Sequence, residues 1–134
     1  MKKSYEEINQ ITEKIIGCAY KVSNTLGSGF LEKVYENAFA VEMSKVGFVV
    51  NQQFPIQVKY EGVIVGDFIA DILVEDYVLV EIKTVKLLND NHMAQCMNYL
   101  KATGLNICLI FNFANRRLKI KRIVNHLIEP HRDA

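Results

Sequence analysis

The 134-residue chain predicts an α/β sandwich in which helices flank a central mixed β-sheet. Three observations carry this expectation. Two stretches with apolar residues at helical spacing open the chain, a run of β-branched and aromatic residues broken by turn signals fills its middle, and a third helical stretch followed by two apolar runs closes it.

Ser4-Tyr5-Glu6-Glu7 has the form of a capping box. Ile8, Ile11, Ile15, Ala19, Val22 and Leu26 then recur every three or four residues, which predicts a helix over 5–25. Gly27-Ser28-Gly29 breaks it. Leu31, Val34, Tyr35, Ala38 and Phe39 define a second stripe that ends at Gly47. From Phe48 the composition turns to strand formers interrupted by Pro55, Glu61-Gly62 and Glu75-Asp76, predicting strands near 48–53, 56–60, 63–74 and 77–84, the third bent or bulged near Gly66. A third helix is expected from Asn91 to Thr103, stopped by Gly104, followed by strands at Ile107–Phe111 and Leu118–Ile123.

Half of the residues are hydrophobic, enough for one core, so a single domain over 1–134 is expected. The formal net charge of +1 excludes binding to nucleic acid or anionic membrane through bulk charge, so any such contact needs a local basic patch. Cys18, Cys96 and Cys108 are odd in number and set among apolar residues, which suits buried free thiols in a reducing compartment. The polar start has no signal-peptide core and no run reaches membrane-spanning length, so a soluble cytoplasmic protein with no membrane partner is expected. His92, His126 and His131 show no metal-ligand spacing and are read as surface residues.

The chemistry-bearing pattern lies in the meander. Side chains alternate faces along a strand, so in Val80-Glu81-Ile82-Lys83 the two polar residues share one face. The preceding strand is apolar except for Asp71, a costly position for a carboxylate unless a metal ion or a lysine pairs with it. A three-residue loop, Glu75 to Tyr77, sets Asp71 opposite Glu81 with both carboxylates on one face, whereas a two-residue loop sends them to opposite faces. Two such carboxylates supply the hard oxygens that Mg2+ or Mn2+ prefers. Lys83, two strand positions or ~7 Å along from Glu81, would orient water or neutralise charge on a phosphoryl transition state. A solvated ladder of surface charges is the competing reading of the same residues.

Gly29-Phe30-Leu31-Glu32-Lys33-Val34-Tyr35, Ala70-Asp71 with Val80-Glu81-Ile82-Lys83, Gln95 with Tyr99, Asn112-Phe113 and Leu118-Lys119-Ile120-Lys121-Arg122 together resemble the GxxExxY proteins of the PD-(D/E)xK nuclease superfamily, from about Gly27 to Arg122. The resemblance implies a restriction-endonuclease-like sandwich with Asp71 and Glu81-x-Lys83 on adjacent strands and a further acid from an upstream helix. Glu32, on the margin of the second apolar stripe, is the natural candidate for that acid and Glu36 the fallback. Gln95 and Tyr99, four apart on one helix face, would face the same site, and the resemblance implies that they position substrate or the lysine. Otherwise they are an ordinary packed pair. Tyr35 reads as structural.

Arg116, Arg117, Lys119, Lys121 and Arg122 form the candidate nucleic-acid-binding patch, with Lys119 and Lys121 on one strand face. A lysine-protected sheet edge explains them equally well. The expected function is thus a Mg2+- or Mn2+-dependent nuclease hydrolysing DNA phosphodiester bonds, DNA before RNA, with Asp71, Glu81 and Glu32 as metal ligands. The alternative is a catalytically inactive nuclease-fold module that binds nucleic acid or protein. Either reading admits a homodimer or a larger protein partner.

Overall fold

The computed structural model describes residues 3–125, so His126 and His131 lie outside the described residues. The elements run α1 (Tyr5–Leu26), α2 (Glu32–Lys45), β1 (Val50–Tyr60), β2 (Val63–Val74), β3 (Val78–Lys83), α3 (Asp90–Thr103), β4 (Ile107–Asn112) and β5 (Lys119–Val124). The capping box at Ser4 and Glu7 starts α1, with each side chain bonded to the other's backbone N–H. A second cap starts α3. The Asn89 side chain accepts from the Asn91 and His92 N–H groups, while His92 Nδ1 accepts from the Asn89 N–H at 3.1 Å. Gly104, in the left-handed region at φ 77°, ends the helix.

The five strands form one sheet in sequence order. Only the β3–β4 pair is parallel, and α3 is the crossover that such a pair requires. α1 and α2 cover one face, packing Ile8, Ile15, Val22, Tyr35 and Phe39 against Ile72, Val80, Leu109 and Phe111. α3 covers the other, packing Cys96, Tyr99 and Leu100 against Leu73, Leu79, Cys108 and Ile110. Cys18, Cys96 and Cys108 are all buried and unpaired. No helix among the described residues is long and apolar enough to cross a membrane.

Two details depart from the sequence expectation. The strands placed at 48–53 and 56–60 are one strand, because β1 lies at the sheet edge, where Pro55 pairs with Ile69 at no cost to a second neighbour. The α2 stripe is also rotated. Leu31 is the N-cap and 80% exposed, Val34 is 40% exposed, and the buried face runs Tyr35, Glu36, Phe39, Ala40 and Met43. The bulge expected near Gly66 is present: the register shifts by one between Val58 and Lys59, leaving Val65 unmatched.

β1 and β2 are about twice as long as the other strands, so their far half extends beyond β3 as a two-stranded arm.

Candidate active site

The β2–β3 turn sets the register on which the site depends. Val74 pairs with Val78, Leu73 with Leu79 and Ile72 with Val80, so Asp71 falls opposite Glu81, as the three-residue loop requires. At that pair the ladder stops and side chains take over. The Asp71 N–H donates to Glu81 Oε2 at 2.6 Å, and the Ile82 N–H donates to Asp71 Oδ2 at 2.8 Å. Each carboxylate occupies a backbone donor of the other strand. Asp71 is half-buried and Glu81 only 4% exposed.

Loss of hydration lifts the Glu81 carboxyl to about 8, and the adjacent Asp71 charge adds to the effect. Burial likewise raises Asp71 above its ordinary value, against the lowering effect of the Ile82 N–H. Burial and mutual repulsion disfavour full ionisation of this pair, a penalty that a cation beside it would offset. Lys83, two residues beyond Glu81 on the same face by alternation, favours ionisation of both. Among the described residues it takes part in no ion pair.

Glu32 and Glu36 approach from α2, and both charges bear on Asp71, Glu36 more strongly. Glu32 is exposed and accepts the Thr84 N–H at 3.0 Å, just past the end of β3. Glu36 is 3% exposed and is held by Gln52 Nε2 at 2.8 Å, Gln53 Nε2 at 2.9 Å and Lys33 Nζ at 3.1 Å. It is therefore a buried, fully engaged carboxylate on the α2 face that packs inward.

Tyr35 explains how the glycine turn is fixed. Its hydroxyl donates to the Gly27 carbonyl at 2.6 Å and accepts the Phe30 N–H at 3.2 Å, while its ring stacks on Phe113 at 4.6 Å. That anchors the loop leading into Glu32. Tyr99 is buried, and burial with the Glu81 charge carries its phenol up to about 12. Gln95 lies one turn before it, and both line a cavity of about 200 Å³ with Val58, Phe68 and Asn98.

The basic residues do not form one patch. By alternation Lys119 and Lys121 lie on the Glu81 and Lys83 face, and Lys119 and Lys83 both pair with Asn112, two strand spacings or about 10 Å apart. Arg122 points to the opposite face, donating to Asn9 Oδ1 at 2.8 Å and Thr12 Oγ1 at 3.3 Å on α1. Arg116 and Arg117 line a cleft with Tyr20, Ser23 and Asn24 of α1, also away from the carboxylates.

Three supporting residues have no role that periodicity reveals, although Asn112 belongs to the Asn112-Phe113 part of the resemblance. Gln53 has φ 56° and stands opposite Asp71 at the one position where the β1–β2 ladder is interrupted before the bulge. Gln52 shares its hold on Glu36. Asn112 fastens the segment after Lys83, accepting the Val85 N–H at 3.1 Å and donating to the Val85 carbonyl at 2.8 Å. A lone amide residue in an apolar strand such as Ile107–Asn112 is the one hint that spacing offers for it.

No three His, Cys, Asp or Glu side chains among the described residues form a ready-made metal cage. The Asp71–Glu81 pair nonetheless fits a hard divalent cation. Mg2+ is commonly held through one or two carboxylates with water and substrate phosphate completing its shell, and the charge of this pair is what a cation would offset.

A family model for the PD-(D/E)XK nuclease superfamily matches residues 9–123. The crystal structure of an alkaline exonuclease from Laribacter hongkongensis is similar in fold, with a TM-score of 0.52 and 18% identity over 93% of this chain and 72% of that one. No curated protein sequence matches the chain. Nucleases of the matched superfamily generally use divalent metals.

Proposed function

The chain belongs to the PD-(D/E)XK nuclease superfamily, and from that premise we propose that it is a Mg2+- or Mn2+-dependent nuclease that hydrolyses DNA phosphodiester bonds, of the GxxExxY type and acting in the cytoplasm as a single domain. The observation that carries the reading is the reciprocal Asp71–Glu81 arrangement with Lys83 beside it. Asp71 and Glu81 would hold the cation, with Glu32 or Glu36 as the helix acid. A bound cation would polarise a phosphoryl oxygen and make its water a better nucleophile.

The remaining work falls to the chain's own groups. Asp71 and Glu81 would offer their carboxylate oxygens to the cation, and the Ile82 and Asp71 N–H groups keep both carboxylates oriented. Lys83 presents an ammonium toward the scissile phosphate, offsetting charge that builds on its oxygens. Gln95 and Tyr99 position the substrate from α3, the buried phenol remaining protonated and able to donate. Lys119 and Lys121 extend positive charge along the same sheet face and suit the phosphate backbone.

Incubation with single-stranded, duplex and branched DNA, and with RNA, plus Mg2+ or Mn2+ tests the reading. Cleavage that Asp71→Ala and Lys83→Ala leave unchanged would overturn it. One observation favours a second reading, a catalytically inactive module that binds nucleic acid or protein: among the described residues, no third metal-ligating side chain joins Asp71 and Glu81. Failure to bind Mn2+ at millimolar concentration, with DNA present, would select it.

A further inference from the structure

We infer that the trough between the β1–β2 arm and α3 is a binding groove for an unpaired stretch of nucleic acid, with Phe68 as a base-stacking platform and Lys59 and Lys101 as phosphate contacts. This rests on the nuclease reading for its direction, because the groove leads to the proposed active site.

The trough has a volume of about 770 Å³ and is lined by both lysines, Phe68, and the side-chain amides of Gln57 and Asn98. It adjoins the smaller cavity of Gln95 and Tyr99, which shares Val58, Phe68 and Asn98 with it. Neither cavity has a carboxylate in its lining, in a chain with nearly as many acidic as basic residues. The lining is cationic and amide-rich, complementary to phosphate and base edges.

Phe68 gives the occupant its identity. It is 46% exposed, an expensive way to display a large ring, yet the ring is braced. A Cβ on Gly66 would stand 3.2 Å from its Cε2 atom, so the absence of a side chain at 66 makes room for the ring. Gly66 has no positive φ, so space rather than backbone freedom is what this glycine supplies. Tyr99 lies at 6.0 Å between centroids, its ring tilted by 50°. A fixed ring with an open face, beside two ammonium groups, suits an unstacked base and its backbone; in a duplex the bases already stack on each other. Phe68 lies against Tyr99, and the Glu81 charge in turn bears on the Tyr99 phenol.

The test is fluorescence anisotropy of a labelled single-stranded oligonucleotide and its duplex, in EDTA so that binding is read without cleavage. The single strand is expected to bind more tightly. Phe68→Leu, which keeps apolar bulk, should weaken it roughly 5- to 100-fold, and Phe68→Trp should restore it. Lys59→Ala and Lys101→Ala should each reduce the slope of log affinity against log salt by about 0.7. Unchanged affinity in Phe68→Leu with an unchanged salt slope in both lysine variants would overturn the groove while leaving metal-dependent cleavage at Asp71 intact. Loss of binding in these variants, in a protein that cuts nothing with Mg2+ or Mn2+, would sustain the groove and refute the nuclease. If the variants bind DNA normally but dissolve a dimer in sedimentation, the trough belongs to a second copy of the chain and the inference fails.

Discussion

Replacing Glu81 by glutamine should make the protein more stable at alkaline pH, although it removes a residue of the proposed active site. The Glu81 carboxyl is carried from its ordinary 4.5 to about 8 by burial and by Asp71. Between those values the folded chain binds more protons than the unfolded one, so the contribution of this group is fully present below pH 4.5, falls as pH rises and is gone above about pH 8. Each tenfold change in proton affinity is worth about 1.4 kcal/mol, so the withdrawal is on the order of 5 kcal/mol. Glutamine removes the charge yet keeps an oxygen that can accept the Asp71 N–H. Urea unfolding of parent and Glu81→Gln in EDTA should show the two within about 0.5 kcal/mol of each other at pH 4.5, with the variant ahead by roughly 1 to 3 kcal/mol at pH 8.5. A variant destabilised at pH 8.5, or a difference independent of pH, would refute the idea that the site is a strained pair of desolvated acids.

Other expectations follow from the same geometry. Mn2+ at a hundredfold excess over its dissociation constant should stabilise the parent by about 2.7 kcal/mol in urea unfolding at pH 8, and Asp71→Asn should abolish that gain; an equal gain in both would place the ion elsewhere. Tyr35→Phe, which deletes the bonds to Gly27 and Phe30, should cost about 1 kcal/mol in the same assay and lower cleavage through Glu32, whereas unaltered stability would separate this tyrosine from the loop. Arg122→Ala should leave the salt dependence of DNA binding as it was, because its guanidinium is engaged on α1, while Lys119→Ala should flatten it; the reverse order would restore Arg122 to the binding patch.

The helices, the bulge and the Asp71–Glu81 register were legible because each follows from a local rule: a cap, a period, a loop length. The rotation of α2 was not, since Leu31 and Val34 have the right spacing but the Tyr35 bonds to the preceding glycine turn decide which face turns inward. Burial of Glu36 depends on two amides from β1 that no helix-based argument brings near. The split of the basic residues between two faces was half visible. Alternation separates Lys119 and Lys121 from Arg122, but the partners of Arg122 lie on α1, more than a hundred residues earlier. Phe68 passed as one more strand former, because nothing in its neighbours tells a packed ring from a displayed one.

Calorimetric titration of Mn2+ at pH 7, in two buffers of different ionisation enthalpy, tests the central claim most directly. The account predicts one ion bound per chain with release of a proton from Glu81, whose carboxyl is carried up to about 8, and no binding in Asp71→Asn. Mn2+ binding that releases no proton, or none at millimolar concentration with an oligonucleotide present, would contradict it.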